Sequence, residues 1–345
     1  MTVAVAVITK KRGVMNMLLR TIRASKRIAV GALLLMVLNA CGGVQQQNAA
    51  TEGDDGSKAN LIRIGYQKYG VPNFLKARGE LEKRLEKDGV AVEWTEFPGG
   101  PQLLEALNVG SIDLGHTGEA PPIFAQAAGA PLVYLAHEAS RPHSEAVLVL
   151  KDSPIQSVAD LKGKKVALNK GSNVHYLLVK LLEQSGLHYS DVKPIFLPPA
   201  DARAAFERGS VDAWAIWDPY LASAQKNLDV RIVADGEGVV NNYEFYLAAR
   251  SFAENNPAII DALFEELNKA GDWANANHKE LAKILSPQLG IDVPSLELAS
   301  SRREYNSVPI SDKVIAEQQK VADTFAKLGL IPQPIQVKEA LPNRK

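Results

Sequence analysis

Five short clusters hold the side chains that could do chemistry: Gln67; Gly100-Pro101-Gln102, preceded by Gly99; His116-Thr117-Gly118-Glu119; Ser172-Asn173-Val174-His175; and Trp217-Asp218. Most are neutral hydrogen-bond donors, and no Lys or Arg stands within any cluster. Donors of this kind at helix starts suit a permanently deprotonated anion, held by fixed dipoles rather than by ion pairs. Glu119 would repel such an anion, so it either holds a neighbouring donor in place or meets a cationic end of the ligand. Trp217 offers an apolar wall, with core packing as its alternative. Alternation along Trp214–Trp217 sends the two indoles to opposite faces, so at most one reaches a given cleft wall. Asp218 before Pro219 has the spacing of a helix N-cap, and Ser172 or Asn173 serves equally as a cap.

The elements that must position these clusters are organised around Phe97–Pro122. A Gly-Gly-Pro turn opens a helix with apolar residues at Leu103, Leu104, Leu107 and Val109, and Gly110 stops it. A short strand (Ile112, Leu114) ends at His116-Thr117-Gly118-Glu119, and Pro121-Pro122 start another helix. Ala205–Ala213 repeats Ala106–Leu114 in kind, and in that register Ile216-Trp217-Asp218 falls on Thr117-Gly118-Glu119. Two such units predict two similar lobes, each presenting a loop to a shared cleft outside the strand ends. Leu61–Tyr66 is a first strand leading to Gln67, Pro72–Lys87 an amphipathic helix, and Val90–Trp94 a second strand. Glu145–Val149 and Phe245–Ala249 are the expected crossings between lobes. From Pro257 the chain is mostly helical and is expected to pack on the first lobe. Strands alternating with helices give the α/β class.

No enzyme signature is present: no Walker loop, no Gly-x-Gly-x-x-Gly, no nucleophile elbow and no Cys-rich metal spacing. His137-Glu138 lacks the second His of a zinc-protease motif. Neither a metal nor a cofactor is expected, and the chain is not read as an enzyme.

The first 41 residues carry Lys10, Lys11, Arg12, Arg20, Arg23, Lys26 and Arg27 and no acid, followed by the apolar run Ile28–Leu38. That run is too short to span a membrane and right for a signal-peptide core. Leu38-Asn39-Ala40-Cys41 looks like a lipoprotein cleavage site, with Cys41, the one cysteine, as the acylated residue and plain secretion as the alternative. Residues 42–60 read as a flexible tether. The whole chain balances 39 basic against 39 acidic residues; removing the 7 basic residues of the leader leaves 32 against 39. A mildly acidic remainder argues against nucleic acid as a partner.

Ile64–Lys68, Glu96–Gly115, Pro121–Gly129, Pro199–Phe206 and Val211–Tyr220 resemble the aliphatic sulfonate-binding proteins of bacterial ABC importers, and the likeness runs from about Leu61 to Leu330. It implies a periplasmic-binding-protein type II fold: two α/β lobes, 61–147 with 246–330 and 148–245, joined by two crossing strands, then a tail at 331–345. It also implies a monomeric extracytoplasmic receptor that holds an aliphatic sulfonate in the interlobe cleft and delivers it to a permease with its ATPase. The receptor would sit in the periplasm, or on the membrane surface if Cys41 is acylated. His116 stands where the family has Ser, Glu119 where it has Asp, and Asn173-Val174 where it has a serine-rich pair. Taurine, a sulfate ester and nitrate therefore stay open as ligands. So does an enzyme reading, since the fold also hosts pyrimidine-precursor synthases.

Overall fold

The computed structural model describes residues 60–342. The leader with Cys41, and the tether expected at 42–60 apart from Asn60, lie outside the described residues. In chain order the elements are β1 (Leu61–Tyr66), α1 (Val71–Arg78), α2 (Glu80–Glu86), β2 (Ala91–Glu96), α3 (Gly100–Asn108), β3 (Leu114–Gly118), α4 (Ala120–Ala127) and β4 (Leu132–Glu138). Then come β5 (Glu145–Leu150), β6 (Lys165–Leu168), α5 (Asn173–Gln184), β7 (Lys193–Phe196), α6 (Pro199–Glu207), β8 (Ala213–Trp217), α7 (Tyr220–Asn227) and β9 (Val230–Asp235). The last group is β10 (Glu244–Ala249), α8 (Arg250–Asn255), α9 (Pro257–Ala276), α10 (His278–Leu289), α11 (Val293–Ser300), β11 (Ser307–Pro309) and α12 (Asp312–Lys327).

The strands form two sheets on one plan, β2-β1-β3-β10-β4-β11 and β7-β6-β8-β5-β9. Three strands run parallel in each, and the fourth, β10 or β5, is antiparallel to its neighbours. The strands expected as crossings each lie wholly in one sheet, because β5 pairs with β8 and β9 while β10 pairs with β3 and β4. Both are apolar and buried, as strands covered on two faces must be. The chain changes sheet instead in the segments 139–144 and 236–243, which are bonded to each other by the Gly236 N–H to the Pro142 carbonyl and the Arg141 N–H to the Asn241 carbonyl, both at 3.0 Å.

The internal repeat is a structural one. Gly110 and Gly209 both adopt the left-handed conformation, with φ of 72° and 67°, that closes α3 and α6. Asp113 then accepts the Arg63 backbone N–H at 2.8 Å, opening β1, and Asp212 accepts that of Lys165 at 2.7 Å, opening β6. Each acid's own N–H returns to the carbonyl of the same partner, at 2.8 and 2.9 Å. Each repeat thus fastens the strand next to the edge of its sheet.

Elsewhere the structure departs from expectation in three places. The helix expected over Pro72–Lys87 is broken at Gly79, whose φ of 62° cannot continue an α-helix. Val109 lies in solvent at 74% exposure, while Leu103, Leu104 and Leu107 are buried. The C-terminal helices do not serve the first sheet alone. α11 lies against α7, where Asn227 bonds Asp292 at 2.9 Å, and Phe325 of α12 stacks edge-on against Phe124 and tilts onto Tyr176 of α5. The described part of the expected tail is packed as well, with Ile331, Ile335 and Val337 buried and Gln126 bonded to the Gln336 carbonyl.

Asp113 is buried and also holds the Arg63 guanidinium at 2.6 Å, whereas Asp212 is exposed. Asp113→Ala is therefore expected to lower unfolding free energy by about 1–3 kcal/mol. Asp212→Ala is expected to cost less, because water replaces the lost acceptor. Urea denaturation of the two variants checks the ordering; equal losses would mean that the buried clamp is no stronger than the exposed one.

Candidate functional site

Between the two sheets lies a cleft with about 430 Å³ of free space, part of it open to solvent. Its walls include Gln67, Gly100, Thr117, Gly118, Ser172, Asn173, Trp217 and Asp218 from the clusters read in the sequence. Gly100 opens α3, and Ser172 and Asn173 open α5; neither helix has a side-chain cap. Two uncapped N-termini thus end on one cavity, with N–H groups and positive dipole ends suited to an anion. The glycines are needed for the approach of these parts. A Cβ on Gly100 would stand 1.9 Å from the Thr117 hydroxyl, and one on Gly118 would stand 2.1 Å from the Asn173 side chain. The Thr117 hydroxyl itself is buried with no hydrogen-bond partner. Of the two indoles, Trp217 lines the cavity while Trp214 is fully buried against Phe206.

Five expected site residues do not reach the cavity. One step along α3 turns Pro101 onto a neighbouring groove with Phe124 and Lys170. Gln102 faces Asn169, whose amide lies 3.4 Å from its carbonyl oxygen. β3 runs on through Gly118, so His116 is a strand residue on the face opposite Thr117, with Nε2 2.9 Å from Glu138 Oε1. Glu119 is buried beneath the cavity and accepts the Tyr243 N–H at 3.0 Å. His175 is a core histidine: Nδ1 lies 3.1 Å from the Gly171 N–H, and Nε2 lies 2.8 Å from the Tyr189 hydroxyl. Burial pulls its pKa down to about 4, keeping it neutral. Asp218 does line the cavity, yet its carboxylate is engaged by the Ala222 N–H at 2.9 Å and by Arg302 at 3.1 Å.

The cavity floor carries charge that the five clusters did not contain. Arg141, from the first crossing, and Arg303, after α11, both line it, as do Glu244 at the start of β10 and Asn242. Arg141 pairs with Glu244; Arg303 pairs with Glu138 and, at 3.2 Å, with Glu244. Arg303 also lies 5.6 Å and 5.0 Å from the Tyr69 and Tyr305 ring centres. Tyr246 donates to Glu138 at 2.9 Å. Burial alone would raise Glu138 and Glu244, but Arg303, Arg141 and His116 outweigh it and hold both carboxyls below their usual range. The cavity therefore carries two arginines that the five clusters did not include, beside the neutral donors expected. The one signal available was a run of apolar strands beginning or ending in Glu138, Glu145 and Glu244, acids that demand counter-charges when buried. His116, Glu138 and Glu244 offer atoms close enough to share a metal, but Arg303 already fills the space between the two carboxylates.

An amide relay links the parts of the site. Asn173 of α5 accepts the Ala120 N–H at 3.2 Å and donates to Asn242, which donates to the Arg141 carbonyl at 3.1 Å. Asn242 holds a left-handed φ of 51°, a conformation that Asn tolerates better than most residues. Both crossings and both sheets are thus tied at one point.

Comparison with known proteins comes to the same place. Residues 85–281 match the NMT1/THI5-like family. The chain is 44% identical to an aliphatic sulfonates-binding protein of Escherichia coli (strain K12), over 83% of this chain and 89% of that one. It is 33% identical to an aliphatic sulfonates-binding protein of Bacillus subtilis (strain 168), over 92% and 95% respectively. Among solved structures it resembles the alkanesulfonate-binding protein SsuA from Xanthomonas axonopodis pv. citri bound to MOPS, with a TM-score of 0.79 and 40% identity over 83% of this chain and 99% of that one.

Burial raises Glu119 from 4.5 to about 7, against the Tyr243 and Asn242 backbone bonds that lower it. A carboxyl raised in the fold contributes stability that is complete below its unfolded value and is lost as pH climbs through the folded one. The window runs from 4.5 to about 7. Glu119→Gln should accordingly gain up to about 3 kcal/mol over the native chain at pH 8 and nothing at pH 4. Denaturant unfolding at both pH values tests this; a difference independent of pH would show that folding does not raise the Glu119 pKa.

Proposed function

Since the chain belongs to the NMT1/THI5-like family and groups there with aliphatic sulfonates-binding proteins, we propose that it is the solute-binding component of an ABC importer and captures aliphatic sulfonates. The observation that carries this reading is the cavity where the uncapped starts of α3 and α5 face the floor of Arg141 and Arg303. A sulfonate has three oxygens and no proton to donate, so it uses N–H, hydroxyl and guanidinium donors alike. Gly100, Thr117, Ser172 and Asn173 would meet its oxygens, with the tail against Trp217. The lobes, 61–147 with 246–330 and 148–245, would close over it.

The same reading places the protein outside the cytoplasm, exported by its basic and apolar leader and fixed to the membrane through Cys41 or freely secreted. It would deliver ligand as a monomer to a permease with its ATPase. The cavity hydroxyls lack a base that would make them nucleophiles: Ser172 donates to the Asn169 carbonyl at 2.7 Å and Ser144 to that of Arg302 at 3.2 Å. This supports binding rather than catalysis. Taurine, sulfate esters and nitrate are the competing ligands.

Calorimetric titration with ethanesulfonate, longer alkanesulfonates, taurine and nitrate tests the reading, and only the alkanesulfonates without an amino group should bind tightly. Thr117→Val keeps the shape and removes one donor, and should weaken ethanesulfonate binding by about 1–3 kcal/mol. Unchanged affinity would take Thr117 out of the site; binding of nitrate alone would overturn the sulfonate assignment.

A further inference from the structure

Glu244 is an acid on the wall of an anion pocket, paired there with two arginines. Its counterpart in the second sheet is Glu145: Glu244 pairs across the ladder with Gly118, and Glu145 pairs with Trp217, the residue equivalent to Gly118 in the repeat. Glu145 is wholly buried with no hydrogen bond to either carboxyl oxygen. Glu244, by contrast, takes both Arg141 and Arg303. The groups facing it are His116 from β3, Glu138 from β4, Arg141 from the first crossing and Arg303 after α11.

The arginines and carboxylates of the cavity wall and floor balance, with His116 behind them, its Nε2 2.9 Å from Glu138 and 3.0 Å from Glu244. Arg141 and Arg303 meet Glu138 and Glu244 on the floor, and Arg302 meets Asp218 on the far wall. What remains is the field of two helix N-termini, about half a positive charge each. A monoanion matches that field. A dianion would leave about one negative charge uncompensated next to two wall carboxylates, Glu244 and Asp218.

We propose that Glu244 is a specificity residue that rejects dianions: by occupying both guanidiniums it lets an organic sulfonate enter and excludes inorganic sulfate, although the two present similar tetrahedral oxygen heads. This rests on the sulfonate reading above and names the property of the ligand that the site selects, a single negative charge.

Two measurements on the whole protein test it. In the first, native protein and Glu244→Gln are titrated with ethanesulfonate, taurine and inorganic sulfate at fixed pH and ionic strength. The preference for ethanesulfonate should fall on the order of 100-fold in the variant, through a gain in sulfate binding. An unchanged ratio overturns the proposal, and so does a loss confined to taurine, which would make Glu244 the partner of an ammonium group. The second needs no variant. Ethylphosphonate has the shape of ethanesulfonate but passes from monoanion to dianion near neutral pH. Its affinity for the native protein should fall as that proton leaves, while ethanesulfonate, titrated in the same buffers, reports any ionisation of the protein itself. A dianionic phosphonate bound as tightly as its monoanion overturns the proposal. Absence of binding by any sulfonate in either measurement overturns the sulfonate reading first, and this inference with it.

Discussion

A charge taken out of water must find a partner, and in this protein that demand joins three stretches of chain, 138–141, 244 and 303, that lie far apart in sequence. Glu138 ends β4, Glu244 begins β10, Arg141 stands in the first crossing and Arg303 follows α11, and all four are buried. Removing one partner from such a network strands another, at a cost of about 3–5 kcal/mol. The network therefore fixes where the crossings leave and re-enter the first sheet. It also fixes the floor of the cavity. Tyr69 and Tyr305 hold the Arg303 guanidinium between them, which keeps a cation in place without consuming all its donors; its Nε has no hydrogen-bond partner.

On that floor the two repeats build the walls. In each, a left-handed glycine closes a helix, an aspartate clamps the strand next to the sheet edge, and an acid, Glu119 or Asp218, follows the next strand. The acids are not ligand groups in any simple sense. Glu119 fastens the second crossing through the Tyr243 N–H, and Asp218 fastens the first through its own N–H to the Ser144 carbonyl, at 2.8 Å. The pseudo-symmetric scaffold thus keeps its acids for structure and leaves the helix starts and the Thr117 hydroxyl facing the cavity. Asymmetry enters where Glu244 gains two arginines and its counterpart Glu145 none, so burial pushes Glu145 toward its neutral form while Glu244 stays charged.

Local rules explain which parts of this were legible in the sequence. Glycines at helix ends, prolines at helix starts and the spacing of the repeat are contained within a few residues, so both lobes' βα units and the eight cavity-lining positions among the five clusters could be read directly. His116 and Thr117 show where such reading stops. The strand continues through both, and alternation then assigns one to the ion network and the other to the cavity. The arginines were beyond reach for another reason. Arg141 and Arg303 meet Glu244 across 103 and 59 positions of chain, and no periodicity encodes that pairing. Pro101, Gln102 and His175 sit in the expected motifs but turn away, because a helix rotates each successive side chain onto a new face.

The most direct test of the account is a crystal structure of the protein with ethanesulfonate. The account places the sulfonate oxygens against Gly100, Thr117 and Asn173, with Arg303 beneath them and the ethyl group toward Trp217. A sulfonate bound at any other position, or a cavity left empty at saturating ligand, would contradict it.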